Sequence, residues 1–165
     1  MNRILKDLYG EITVKKHAPT TDKDLLKAVD TKITPYTKLK NIKKIDDIIK
    51  NDAAIIFYDH TAGNIGHWCC LTKRGNLIEF FDPYGRNIDS PRYMHGRPQY
   101  LKNLLRKSKY DVRYNPFDFQ GKGTATCGRH VVARILFKDK TLREYKKFMD
   151  GINDDDLVSF LTLPI

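Results

Sequence analysis

The chain is poor in cysteine. It has three in 165 residues, an odd number, and two of them are adjacent as Cys69 and Cys70. That excludes a disulfide framework, and the absence of any C-x-x-C pair excludes the common structural zinc sites. A reducing compartment is expected: the cytosol, the nucleus or a viral factory. No apolar run is long enough to span a bilayer, so no membrane association is expected. In "MNRILKDLYGEITVKK", Lys6 and Asp7 stand where a secretory signal needs its apolar stretch, so secretion is not expected either. There is no internal repeat and no low-complexity linker, and the length suits one domain over 1–165, monomeric, with a sizeable core. Acid is also scarce. Thirty Lys and Arg against twenty Asp and Glu leave a net charge of +10. Such a surface suits an anionic partner, nucleic acid being the commonest, and no element of the sequence is built to read bases.

What is present is 41% hydrophobic and 11% aromatic, a globular composition. The first 52 residues read as helix and loop. "TTDKDLLKAVD" offers capping residues ahead of Leu25, Leu26 and Val29. "YTKLKNIKKIDDIIKND" spaces Leu39, Ile42, Ile45, Ile48 and Ile49 as a further helix. The period then changes. Runs at 53–60, 67–73 and 76–82 are apolar, β-branched and aromatic, and read as strands, the last two joined by a hairpin turn at Arg74-Gly75. Residues 83–98 form a long irregular loop, followed by a short basic helix "YLKNLLRKS" and a strand at 110–115. Val131, Val132, Ile135 and Leu136 mark a helix starting near Cys127, with Thr124 or Thr126 as its cap. "TLREYKKFMD" and "DDDLVSFLTL" supply two more. Helices, then strands, then helices predict an α+β domain with a central mixed sheet and a Cys at a helix N-terminus.

That cysteine raises the chemical question. A thiol at a helix N-terminus sits where backbone N–H groups favour its thiolate, and Gly121, Gly123 and Gly128 allow close backbone approach. A nucleophile also needs a base. His67 opens a strand after the "TAGNIG" loop, whereas His130, one helical turn from Cys127, is its rival. With the hairpin centred on 74–75, residue 67 falls opposite 82, which puts the Asp82 carboxylate beside the imidazole to orient it. Gln120 can add a side-chain N–H to the backbone N–H of Cys127 and hold an oxyanion. Cys69 lies about 7 Å along the strand from His67, and Cys70 points to the other face. Both read as core, and His67, Cys69 and Cys70 lack a fourth ligand for a metal.

"GHW", then "FFDPYG", then a Gln seven residues before the Cys in "FQGKGTATCGRHVV" resembles the adenovirus-type and Ulp1-like cysteine proteases, above all adenain-like maturation proteases of virophages and large DNA viruses. The likeness spans about residues 53 to 137. It implies a cysteine endopeptidase with Cys127 as nucleophile, His67 as base, Asp82 as orienter and Gln120 as oxyanion donor. Trp68 and Gly66 would line the substrate cleft. It further implies a capsid or core precursor as protein substrate, cut at Gly-containing sites, and DNA as an activating cofactor bound without sequence preference. Asp82 stands where the adenovirus enzymes carry Glu. No cysteine outside the strand at 67–73 is spare for a disulfide-linked activator peptide. The rival expectations are an isopeptidase acting on ubiquitin-like conjugates, an acetyltransferase on the same scaffold, and a basic nucleic-acid-binding module without catalysis.

Overall fold

The computed structural model describes residues 3–59, 66–150 and 154–165. Its centre is one five-stranded sheet in the order β1 (Lys32–Pro35), β2 (Ala53–Asp59), β3 (Gly66–Arg74), β4 (Leu77–Phe81) and β5 (Asp111–Tyr114). β2, β3 and β4 pair antiparallel, while each edge strand joins in parallel, so the sheet is mixed. β2, β3 and β4 run as near-continuous buried stretches because helices and turns cover both faces. On one face Ile55, Trp68, Cys70 and Phe81 pack against Val131, Val132, Tyr145 and Met149. On the other, Ile56, Cys69, Leu71 and Phe80 pack against Leu39, Ile45, Leu101 and Leu105. The period-2 alternation along β3 therefore sends His67 and Cys69 to one side and Trp68 and Cys70 to the other.

The helices are α1 (Arg3–His17), α2 (Asp22–Ala28), a single turn α3 (Pro91–Met94), α4 (Tyr100–Lys107), α5 (Cys127–Leu136), α6 (Leu142–Met149) and α7 (Asp154–Leu161). Capping boxes start α2, with Thr21 and Asp24, and α6, with Thr141 and Glu144. The α+β class, the four strands expected from 53 onward and the helix beginning at Cys127 are all present. Among the described residues no helix is long and apolar enough to cross a membrane.

Three expectations are corrected. The helix expected over 36–52 is two 3₁₀ turns, Tyr36–Asn41 and Ile45–Ile48. Leu39, Ile42, Ile45 and Ile48 recur every third residue, which is the 3₁₀ repeat rather than the α repeat. The short strand β1 just before them, ending at Pro35, was not expected at all. The hairpin loop is Gly75-Asn76, since Arg74 pairs with Leu77 and Cys70 with Phe81. The two-residue loop is set by Gly75 at φ 54°, so the register slips by two residues from that expected. A slip of one would have turned Asp82 to the opposite face; a slip of two keeps it on the face of His67, as a diagonal neighbour instead of a direct one.

Candidate active site

The local chain explains how the groups converge. β3 begins at Gly66, so His67 projects from the end of the sheet, and Asp82 follows immediately after β4. The two meet there: His67 Nε2 lies 2.8 Å from Asp82 Oδ1. Asp82 is held from several directions. The Tyr93 hydroxyl donates to Oδ2 at 2.7 Å and the Tyr84 N–H to Oδ1 at 2.8 Å. Asn115 clamps its backbone, accepting from Asp82 N–H at 2.9 Å and donating to the Asp82 carbonyl at 2.6 Å. The imidazole is stacked between the Tyr84 and Tyr93 rings, with centroids 5.0 and 4.9 Å away. The Arg86 guanidinium covers both tyrosines. These aromatic walls and the Asn115 clamp went unread in the sequence. The tyrosines lie in the irregular 83–98 segment, where no periodicity says which ring faces inward.

The turn after Asp82 has its own steric logic. Gly85 takes φ 66°, and a Cβ on it would stand 2.5 Å from the Phe117 carbonyl carbon. The segment at 117–120 is thereby drawn against the turn, where the Pro83 carbonyl accepts from Phe119 N–H at 2.7 Å and from Gln120 N–H at 3.0 Å. Gln120 is placed by this contact, and its Nε2 donates to the Thr124 carbonyl at 2.9 Å, leaving the amide a second N–H.

Cys127 is the first residue of α5, and it is half-buried, whereas Cys69 and Cys70 are fully buried. The helix can approach this closely because Gly128 follows: a Cβ there would fall 1.8 Å from Thr20 Oγ1. Cys127 and His67 border the same cleft, and the Cys127 thiol is one of the groups that act on the imidazole. Since Asp82 takes Nε2, Nδ1 is the ring nitrogen left for sulfur. Burial pulls the His67 pKa down, but the hydrogen bonds and charges of Asp82 and Cys127 outweigh it and raise it to about 9. The imidazole is therefore held toward its protonated form beside the Asp82 carboxylate. Burial pushes the Cys70 thiol up to about 12 and the Cys69 thiol well above its ordinary range, so neither is poised to ionise.

His67, Cys127, Gln120, Trp68 and Gly66 all border one open cleft of about 1050 Å³. Trp68 packs on Phe57 with centroids 4.3 Å apart. Gly66 is fixed by the same ring, for a Cβ would meet Phe57 Cζ and the Tyr58 carbonyl at 2.5 Å. The rest of the "TAGNIG" loop lies outside the described residues. His130 does not reach the cleft. It is fully buried, with Nε2 on Asp155 Oδ1 at 2.9 Å. As for metals, Cys70 faces away from His67, whereas Cys69 and Asp82 join it with ligand atoms within 4.8 Å of one another. This is closer than the strand repeat suggested, because the imidazole reaches back along the strand toward Asp82. Both Asp82 oxygens are already engaged by Tyr93, Tyr84 and His67.

No family model matches the sequence. Among solved structures, the chain is similar to the C-terminal Ulp1 protease domain in complex with Smt3, the yeast orthologue of SUMO. It is 16% identical to it, with a TM-score of 0.37 over 93% of this chain and 75% of that one. The SUMO protease Ulp1 with its catalytic cysteine oxidized to a sulfenic acid gives 15%, 0.40, 99% and 95% in the same order. An ASFV protease gives 16%, 0.38, 94% and 62%. Among curated proteins, uncharacterized protein V9 of Sputnik virophage is 36% identical over 160 residues, covering 85% of this chain and 91% of V9. At that identity and coverage the chain belongs to the same family as the virophage V9 protein.

Proposed function

We propose that this protein is a cysteine endopeptidase, an adenain-like maturation protease of viral origin that cuts capsid or core precursors at Gly-containing sites. The observation that carries the reading is that His67, bonded to Asp82, and Cys127, at a helix start, face one cleft. Thiolate attack on a peptide carbonyl forms an acyl-enzyme, and the His67 imidazolium gives its proton to the leaving amine. The α5 N-terminus and the second Gln120 N–H are suited to receive the oxyanion. Kinship with a virophage protein supports a viral setting. The test is a cleavage profile on a peptide library and on purified capsid precursors. Cuts beside Gly, with an apolar residue a few positions upstream, are the expected result. Cuts after Lys or Phe would overturn the specificity, and the absence of any cut would overturn the protease.

DNA is part of the same proposal. The net charge is +10, and α4 buries Leu101, Leu104 and Leu105 while Lys102, Arg106 and Lys107 lie on its other side. A basic enzyme held loosely to packed phosphate would be retained near substrates inside a particle. Affinity for any duplex is expected to fall steeply with salt, as counterions are released for each phosphate contact. Fluorescence anisotropy across a salt series measures it. A flat response, or no binding at low ionic strength, removes DNA and leaves the proteolytic site untouched.

A further inference from the structure

Acidic residues in the first turn of α7 favour the helix dipole, and the contacts of Asp155 exceed that role. Its side chain is buried to within 5% of exposure. Oδ2 accepts the Gly121 N–H at 2.7 Å, while Oδ1 accepts the Thr126 hydroxyl and lies 2.9 Å from His130 Nε2. A Cβ on Gly121 would stand 2.7 Å from Oδ2, so the carboxylate rests directly on the backbone there. Gly121 follows Gln120, and Thr126 precedes Cys127. One carboxylate thus ties both ends of the loop that carries the oxyanion donor at one end and the nucleophile at the other.

We propose that Asp155 is a positioning residue of the hydrolytic site: it fixes the spacing between Gln120 and Cys127 from outside the cleft. The claim rests on the peptidase reading above. A buried carboxylate is costly unless it is fully hydrogen-bonded, and simple docking of α7 is already served by the fully buried Val158. Thr126 adds a second sign. It occupies the N-cap position of α5 without a side-chain bond to the helix, because its hydroxyl is turned to Asp155. The first-turn N–H groups of α5 therefore receive no side-chain cap, which suits groups that must receive an oxyanion instead. His130 completes the arrangement by donating to Asp155 one helical turn beyond Cys127. Burial works to raise the Asp155 pKa, but hydrogen bonds from His130 and Thr126 hold it below the ordinary carboxylate value, so the group is an acceptor at neutral pH.

The experiment compares the full-length chain with Asp155→Asn, Thr126→Val, the double variant and Val158→Ala. Two readouts are taken. One is the rate of Cys127 alkylation by iodoacetamide, which needs no substrate and reads Cys127 because Cys69 and Cys70 are fully buried. The other is kcat and KM on a cleaved peptide, expressed per folded molecule with the folded fraction taken from circular dichroism, so that unfolded protein does not count. Asn keeps the shape but cannot accept at all of the bonded positions. Asp155→Asn should lower kcat roughly 10- to 100-fold with KM little changed, as expected for small misplacements of reacting groups. Alkylation at pH 7 should slow about tenfold, because a displaced Cys127 loses its placement beside the His67 base. Val158→Ala should lower the melting temperature and leave kcat per folded molecule unchanged. Thr126→Val should act in the same direction as Asp155→Asn, and the double variant should fall short of additivity, because the two groups share one bond. If Asp155→Asn fails to fold, Thr126→Val carries the comparison. Unchanged kcat per folded molecule and unchanged alkylation in these variants overturn the proposal. Should the wild-type protein cleave no peptide, the peptidase reading fails while alkylation still decides whether Asp155 sets the thiol.

Discussion

Cys127→Ala is expected to reduce peptide hydrolysis by roughly 10⁶-fold, the scale seen when a nucleophile that acts as a unit with its base is removed. The loss should appear in kcat, since the cleft walls formed by Trp68 and Tyr84 are untouched and substrate can still bind. Folding should survive: the residue is half-buried, and Ala at the first helical position is a good helix former. The contrast that gives the result meaning is Cys69→Ala. Cys69 lies within 4.8 Å of His67, but it is sealed in the core and burial raises its thiol pKa well above the ordinary range. Replacing it should cost stability through a small cavity and leave the chemistry per folded molecule close to wild type. Steady-state rates and a thermal melt on both variants separate the cases. Full turnover in Cys127→Ala, or loss of turnover confined to Cys69→Ala, would move the nucleophile into the buried core and sink the assignment.

How much of this could be read from the sequence depends on the range of the interaction. The strands at 53–60, 67–73 and 76–82 announce themselves because each is a local apolar run bounded by Gly, Asn or Asp. His67 and Asp82 were brought to one face by hairpin parity, which survives a register error of two residues. The 36–52 segment was misread because an apolar spacing of three supports either helix type until the neighbouring strand β1 fixes the chain ends. Tyr93, Asn115 and Asp155 were not found for a different reason. Each reaches the site from at least 11 residues away in sequence to Asp82 or Gly121, through single side-chain bonds that leave no periodic trace. His130 shows the same limit. One helical turn from Cys127 it reads as a rival base, and only the tertiary contact with Asp155 reveals a buried tether, so His130→Ala should disturb the nucleophile loop and the fold together.

His67→Ala should cost nearly as much as loss of the nucleophile, and Asp82→Asn should show why. An Asn at 82 can keep its oxygen toward His67 Nε2 and Tyr84 N–H and turn its amide to the Tyr93 hydroxyl, which rotates to accept. The orientation of the ring is then preserved while the charge is gone. Asp82 provides the largest of the influences raising the His67 pKa, against a burial that lowers it. Without that charge the pKa must fall from about 9 toward or below its ordinary value of 6.5. The sign for stability follows from linkage. A folded pKa above the unfolded one means the stabilisation from protonated His67 is fully present below pH 6.5 and is lost as pH rises through about 9. The wild-type protein should therefore lose stability on the alkaline side, and its kcat/KM should decline there as the imidazolium that serves as proton donor disappears. In Asp82→Asn that alkaline limb should move toward neutrality, with maximal activity reduced about 10- to 100-fold, less than the loss on removing the base because geometry is retained. Profiles of kcat/KM from pH 5 to 10 on both proteins make the comparison. An alkaline limb that stays in place in Asp82→Asn would show that Asp82 does not set the charge of His67, and the carboxylate would then serve only to hold the Tyr93–Asn115 wall.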